Sequence, residues 1–235
     1  MNSIKERPIL FSAPMVRAIL EGRKSVTRRA LKVQPHIDAS GNFCVGQYNY
    51  GQDLDGTPMT RHFVKSHCPY GQPGDRLWVR ETWGVISHDF DEHGNMIDWV
   101  PDRPATPIRE MPFGRGYYSG HAIYRADREA VWASDDDGGG DDRSAWKPSI
   151  HMPRRASRIL LEITDVRVER LQDISRRDIR AEGLECPPEL ASDDVSPNYR
   201  DWFPAAWRKL WEAINGAGSW DKNPWVWVIT FRRLP

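Results

Sequence analysis

A short basic segment near the start of the chain, EGRKSVTRR at residues 21–29, contains the residues best suited to chemistry. It carries an amine on Lys24, a hydroxyl group on Thr27 and guanidinium groups on Arg23, Arg28 and Arg29. Neighbouring positive charges lower the pKa of a lysine, and a neutral amine can take a proton from a hydroxyl group or from water. The segment therefore indicates a nucleophile with its base or, as the plainer alternative, a solvated basic edge or a phosphate-binding turn.

The elements before this segment should hold its start in place. The sequence RPILFS (7–12) predicts a short strand, and Pro14 can occupy the first turn of a helix that runs to Leu20. Gly22 stands where a helix commonly ends in a left-handed conformation. We expect a strand, a helix and then the basic segment.

An extended conformation after Gly22 would sort the basic side chains onto two faces. If residues 25–31 form a strand, Thr27 and Arg29 lie on one face and Arg28 lies on the other, because side chains alternate along a strand. Thr27 and Arg29 are therefore predicted to be neighbours.

A carboxylate far along the chain, on Glu182, has no local reason for its position. The sequence after residue 174 predicts a helix in which Ser175 caps the start, Asp178 takes the capping-box position and Gly183 ends the helix. Glu182 is then the last helical residue, where a negative charge opposes the helix dipole. A partner cation would explain this position, and the alternative is an exposed surface glutamate.

The overall charge does not favour a nucleic-acid partner, since 33 basic residues balance 33 acidic ones. A local basic segment could still bind phosphate groups. The segment HMPRRASR (151–158) adds Arg154 to the possible contacts for phosphate, although a solvated loop is the simpler interpretation.

Cysteine and histidine spacing predicts neither a disulfide framework nor a metal site. The 3 cysteines are widely spaced without a CxxC pair, and RHFVKSHC (61–68) matches no tetrahedral zinc pattern. No metal or other cofactor is expected. The sequence shows no apolar signal core and no apolar run of about 18–20 residues, so we expect a cytoplasmic protein with no membrane partner.

The remaining pattern indicates a mixed α/β (α+β) fold. Further strands are predicted at 76–83, 121–126, 157–171 and 224–233, a helix at 203–216, and mostly loop with short hairpins at 33–70. The region 84–145 reads as a loop-rich excursion whose acidic tip, SDDDGGGDD (134–142), is expected to be mobile. Scattered strands with helices between them favour a small mixed β-barrel over an alternating βαβ fold.

The motifs together resemble the ASCH-domain proteins of the PUA-like superfamily. The matching segments are RPILFSAPMVRAILEGRKSVTRR, CPYGQPGDRLWVRETW, IYRAD, WKPSIHMPRRASRILLEITDVRVERLQDIS, AEGL and LWEAINGAGSWDKNPWVWVITFRR. They are similar to the larger branch of the family that is associated with phages and prophages. The resemblance implies one domain over residues 1–235, a PUA-like β-barrel with helices packed around a cleft, an insertion at about 84–145, and binding of RNA or a nucleotide.

A closer resemblance implies a reaction. Small ASCH enzymes that hydrolyse N4-acetylcytidine carry a lysine, a threonine three residues later and a glutamate from a later helix, and these fall on Lys24, Thr27 and Glu182. Arg29 matches a nearby arginine. The implied activity is an amidohydrolase that removes the acyl group from N4-acetylcytidine-type nucleosides or nucleotides.

Two features depart from the small enzymes, and two other functions stay open. Ser25 and Arg28 stand where those enzymes tend to carry a threonine and an apolar residue, and the 84–145 insertion has no counterpart in them. The first alternative is a non-catalytic module that binds RNA or another single-stranded nucleic acid. In it the phosphate contacts would come from Arg23, Arg28, Arg29 and Arg154. The second alternative is a ribonuclease.

Overall fold

The computed structural model describes residues 3–130, 146–187 and 202–235. They cluster into two compact units. The first unit comprises residues up to 5, 18–76 and 162–233, and the second comprises 6–17, 77–161 and 234–235. In the ranges described, no helix has the length and apolar character needed to cross a membrane.

Strands outnumber helices in the described ranges. The strands are β1 (Glu6–Leu10), β2 (Val26–Ala30), β3 (His36–Ile37), β4 (Phe43–Val45), β5 (Tyr48–Gly51), β6 (Arg76–Arg80), β7 (Trp83–Ile86), β8 (His88–Phe90), β9 (Met96–Asp98), β10 (Thr106–Phe113), β11 (Gly116–Tyr124), β12 (Leu160–Arg170) and β13 (Trp225–Arg233). The helices are α1 (Ala13–Leu20), α2 (Arg61–His67), α3 (Arg176–Ala181) and α4 (Trp202–Asn215). The expected mixed α/β class is confirmed at this coarse level.

In the first unit, β13 is the central strand between β12 and β2. It pairs antiparallel with β2, so that Thr27 lies opposite Ile229 and Arg29 lies opposite Trp227. The burial of both faces of β13 agrees with the continuous apolar sequence WVWVITF. A separate small sheet joins β3, β4 and β5.

The core of the first unit is built where α3 and α4 cover this sheet. Its buried members are Val26, Leu171, Ile179, Phe203, Trp207, Trp211, Val226 and Val228. The predicted apolar face of α4 is confirmed for Trp207 and Trp211, whereas Ile214, in the last turn of the helix, is 51% exposed. Burial of the two tryptophans on neighbouring turns fixes the rotation of α4.

Helix α2 was not predicted, because its polar heptapeptide has no side-chain cap at Thr60 and little apolar periodicity. Tertiary packing supplies what the local sequence lacks. The ring of Phe63 stacks on Trp227, with 5.3 Å between centroids, and packs edge-on against Phe43 at 5.7 Å.

In the second unit, β1 lies beside β6, and β11 pairs with both β10 and β7. The core members are Trp83, Ile108, Met111, Ala122, Tyr124, Met152 and Ala156. The region after residue 84 is more regular than predicted, because β10 and β11 form a long hairpin where we expected one strand at 121–126. The sequence of β11, GYYSGHAIY, is rich in aromatic residues, which favour strands. The acidic tip at 134–142 lies outside the described residues.

The closed barrel expected from the sequence is not found in the described ranges, because each sheet there is open, with two edge strands. Scattered strands with inserted helices are compatible with a closed or an open sheet, since closure depends on strand tilt and stagger. The sequence pattern contains neither quantity.

Candidate functional site

Lys24 lies in the first unit, in the turn between α1 and β2. Gly22 has a φ angle of 77°, and its amide donates to the carbonyl of Ile19 at 3.1 Å, which ends the helix as predicted. The amide of Lys24 then donates to the carbonyl of Ala18 at 2.9 Å. The backbone is therefore fixed on both sides of the turn before β2 begins.

The end of α3 meets this turn through backbone pairing. Lys24 and Glu182 form an isolated antiparallel bridge, and the amide of Ser25 donates to the carbonyl of Ala181 at 2.9 Å. Ser175 caps α3 as predicted, accepting from the amide of Asp178 at 3.1 Å. Residues 158 positions apart in the sequence are thus held side by side.

Gly183 permits this close approach for two separate reasons. Its φ angle of 90° is one that residues with a side chain rarely adopt. A Cβ atom at this position would lie 2.8 Å from the Cβ of Ala18 and 3.0 Å from the Cβ of Lys24. The glycine that ends α3 is therefore also the surface on which Lys24 packs.

The side chains of Lys24 and Glu182 form a buried ion pair. The Nζ atom of Lys24 lies 2.6 Å from Oε2 of Glu182 and also donates to the carbonyls of Val26 at 2.8 Å and Glu182 at 2.9 Å. The exposed fractions of the two side chains are 0% and 2%. The Val26 carbonyl belongs to the peptide unit that joins Val26 to Thr27, so the amine lies beside the backbone of the threonine.

Burial lowers the pKa of Lys24, and Glu182 opposes this shift. The direction agrees with the sequence-based expectation, but the principal cause differs. The positive charges of Arg29 and Arg28 contribute less than the removal of the amine from water. Glu182 has the partner cation that its position at the helix end called for.

Arg28 lies on the opposite face of β2 from Thr27, as the alternation predicts, and its side chain is fully buried. Its guanidinium contacts three carboxylates: Glu182 at 3.3 Å, Asp178 at 2.7 Å and Glu169 at 2.5 Å. We call these four residues the Arg28 network. Burial acts against the charge of Arg28, but the carboxylates outweigh it and raise the pKa of the guanidinium.

Thr27 and Arg29 share the other face of β2. Thr27 is 2% exposed and Arg29 is partly buried. Burial lowers the pKa of Arg29, whereas Tyr70 and Glu182 act in the opposite direction. Burial in turn raises the pKa of Tyr70, and the charge of Arg29 opposes that shift. The arginine and the tyrosine are thus electrostatically coupled in the first unit.

The other two predicted phosphate contacts pair with carboxylates other than Glu182. Arg23 is 33% exposed, contacts the carboxylate of Glu21 and donates to the carbonyl of Gly183 at 2.7 Å. Arg154 belongs to the second unit, where it pairs with Glu6 at 3.0 Å. The structure therefore brings together Lys24, Arg28 and Glu182 by direct contact. Thr27 directly follows Val26, whose carbonyl accepts from Lys24, but its side chain lies on the face of β2 opposite Arg28.

Glu169 was not predicted to belong to the site, and Asp178 was predicted only as a capping residue. The sequence did contain a signal that Arg28 is buried. Strand alternation puts Arg28 on the same face of β2 as Val26, an apolar residue that is expected to face the core. A buried arginine requires carboxylate partners. Their identity follows only from the packing of β12 and α3.

In the described ranges, no group of three or more histidine, cysteine, aspartate or glutamate side chains is arranged to hold a metal ion. The three carboxylates of the Arg28 network surround a guanidinium, which supplies the charge that such a cluster needs. Comparison of the chain with protein-family models, with curated proteins and with solved structures finds no match.

The arrangement can support proton transfer. Lys24, whose pKa is lowered, is paired with the carboxylate of Glu182, and the hydroxyl group of Thr27 lies three residues further along the chain, on β2. Such a pair can accept a proton from a nucleophile and return it to a leaving group, which acyl transfer requires.

Proposed function

We propose that this protein is an amidohydrolase that removes the acyl group from N4-acetylcytidine-type nucleosides or nucleotides. The observation that carries the proposal is the buried contact of 2.6 Å between Nζ of Lys24 and Oε2 of Glu182, beside the peptide unit of Thr27. The three residue types are those that the resemblance to small ASCH enzymes assigns to catalysis.

In the proposed first step, Thr27 or a water in its place attacks the acetyl carbonyl carbon. In the reacting form of the pair, the proton lies on Glu182 and Lys24 is a neutral amine, which takes the proton of the attacking hydroxyl group as the new C–O bond forms. The pair then returns a proton through Glu182 to N4 of cytosine as the C–N bond breaks, which releases cytidine. If Thr27 attacks, water afterwards cleaves the acetyl ester, giving acetate and the free threonine.

The developing negative charge on the carbonyl oxygen needs a donor. In the proposal this donor is Arg29, which shares the face of β2 with Thr27, or a backbone N–H group. Arg28 cannot serve in this way, since its guanidinium is fully buried against three carboxylates.

The proposal extends to the fold family. A PUA-like domain of the ASCH type is supported by the order of the sequence motifs and by the meeting of the Lys24 turn with the end of α3. It requires that the residues of both compact units belong to one functional domain.

A second candidate is a module that binds RNA without hydrolysis. The observation in its favour is that Lys24 and Thr27 are only 3% and 2% exposed, which is also typical of residues that maintain a fold. In that case Arg23 and Arg29 would supply phosphate contacts from the same part of the first unit.

One assay separates the two candidates. Purified protein is incubated with N4-acetylcytidine, and cytidine release is followed by chromatography for wild type, Lys24→Met and, as a matched control, Lys65→Met, which replaces an exposed lysine of α2. We expect release by wild type and Lys65→Met and loss of release by Lys24→Met. No release by wild type, together with salt-sensitive binding of a single-stranded RNA, would favour the binding module.

A further inference from the structure

The two oxygens of the Glu182 carboxylate contact two different cations, Arg28 and Lys24. Nη1 of Arg28 lies 3.3 Å from Oε1, and Nζ of Lys24 lies 2.6 Å from Oε2. A carboxylate held at both oxygens by donors from one strand region cannot rotate freely.

Arg28 is itself anchored on the side away from Glu182. Its Nε and Nη2 atoms donate to Oε1 of Glu169 at 3.2 Å and 2.5 Å, and Nη2 also donates to Oδ2 of Asp178 at 2.7 Å. Arg167 also contacts both of these carboxylates: its Nε donates to Glu169 at 3.0 Å, and its Nη2 contacts Asp178. The planar guanidinium is therefore fixed by β12 and α3 before it contacts Glu182.

We propose that Arg28 is a positioning residue that holds the Glu182 carboxylate in the orientation in which it faces Lys24. The proposal rests on the proposed function, since it gives Arg28 its role through Glu182. It also distinguishes this chain from the small ASCH enzymes, which tend to carry an apolar residue at this position and therefore lack a guanidinium there. The planar guanidinium presents five N–H donors in a fixed fork, which lets it contact three carboxylates in different directions.

The charged groups around the pair decide how a test should be designed. Those that act on Lys24 are Glu182, Arg29 and Arg28, and those that contact Arg28 are Glu169, Asp178 and Glu182. Removing the charge of Arg28 would mix two effects, because Arg28 also repels Lys24 directly. Arg28→Lys keeps the charge and removes the fork, so it isolates the contact with Glu182.

The experiment labels lysine with ¹³C at Cε and follows the pH titration of Lys24 by NMR in the full chain, with the signal assigned from Lys24→Met. In Arg28→Lys, the ammonium group can stay with Glu169 and Asp178 but no longer reaches Oε1 of Glu182. We expect the titration midpoint of Lys24 to fall, since its counter-charge is less well held. We expect kcat for cytidine release to fall about tenfold to a hundredfold with KM changed less than about twofold.

The matched control is Arg158→Lys in the second unit. Arg158 is a partly buried arginine, 12% exposed in its side chain, with two carboxylate partners, Glu81 at 3.0 Å and Asp127 at 2.8 Å. This variant loses a comparable fork without touching Glu182, so the Lys24 midpoint and kcat should match wild type. If Arg28→Lys does not fold by circular dichroism, Glu169→Gln loosens the anchor instead and should lower the midpoint by a smaller amount.

The outcomes separate the two proposals. If wild type releases no cytidine, the proposed function fails, and the titration alone decides the role of Arg28: a lower midpoint in Arg28→Lys supports it. An unchanged or higher midpoint overturns the positioning role whatever the rate. If wild type is active and Arg28→Lys matches it in rate and in midpoint, only the positioning role fails.

Discussion

Breaking the Lys24–Glu182 pair should destabilise the protein far more than the loss of an ordinary lysine. The change is Lys24→Met, which keeps most of the side-chain length and removes the ammonium group. It leaves the Glu182 carboxylate buried with Arg28 as its remaining cationic contact, and it removes the donor to the carbonyls of Val26 and Glu182.

The magnitude follows from burial. The two side chains are 0% and 2% exposed, so screening by water is slight. Removal of one partner from such a pair costs about 3–5 kcal/mol, and we expect about 3 kcal/mol here because Arg28 still neutralises part of the charge. At a slope of about 2 kcal/mol per molar urea, this is a fall in the unfolding midpoint of roughly 1.5 M.

Urea unfolding followed by tryptophan fluorescence measures this change, since Trp207, Trp211, Trp225 and Trp227 lie in the first unit. The control Lys65→Met should change the free energy of unfolding by less than about 0.5 kcal/mol. The double variant Lys24→Met/Glu182→Gln should lose less than the sum of the single losses, because the second change removes the unpaired charge. A cost below about 1 kcal/mol for Lys24→Met, or strict additivity, would refute a buried, coupled pair.

Two further predictions concern Tyr124 and Gly183. Burial raises the pKa of Tyr124 to about 12. Since an unfolded tyrosine titrates near 10, the folded state holds its proton longer, and Tyr124 should cost the fold about 2–3 kcal/mol of stability as pH rises from about 10 to 12. The difference in urea midpoint between wild type and Tyr124→Phe should narrow over this range, and a constant difference would contradict the shift. Gly183→Ala should destabilise the protein by at least about 1 kcal/mol more than Gly22→Ala. Both substitutions put a side chain on a left-handed backbone, so that cost is shared. A Cβ at Gly183 would also lie 2.8 Å from the Cβ of Ala18, whereas a Cβ at Gly22 would contact nothing within 4 Å. Equal losses in urea unfolding would rule out the close packing at Gly183.

Local signals in the sequence predicted the elements that carry the candidate site. Pro14 and Gly22 bracket α1, Ser175 and Gly183 bracket α3, and the alternation of β2 puts Thr27 and Arg28 on opposite faces. Each depends on neighbours within a few residues, where caps and side-chain alternation act. The position of Glu182 also called for a cation, although no local pattern identified Lys24 as that cation.

The rest depended on packing between distant segments. The partners of Arg28 come from β12 and α3, more than 140 residues away, and no spacing rule connects them. Helix α2 forms because Phe63 stacks on Trp227, which its own polar sequence does not indicate. Closure of a sheet into a barrel depends on strand tilt and stagger, so the expectation of a barrel had no support in periodicity alone.

The rate of cytidine and acetate release from N4-acetylcytidine tests the central claim most directly. It should be measured for wild type and for Lys24→Met, Thr27→Val and Glu182→Gln, each shown by circular dichroism to be folded. General acid–base catalysis contributes at least about a hundredfold, so Lys24→Met and Glu182→Gln should each lose at least that factor while wild type releases cytidine and acetate in equal amounts. Thr27→Val should lose a similar factor if the threonine is the nucleophile and less if a water attacks in its place. Absence of release by wild type, or release that survives in all three variants, would contradict the account.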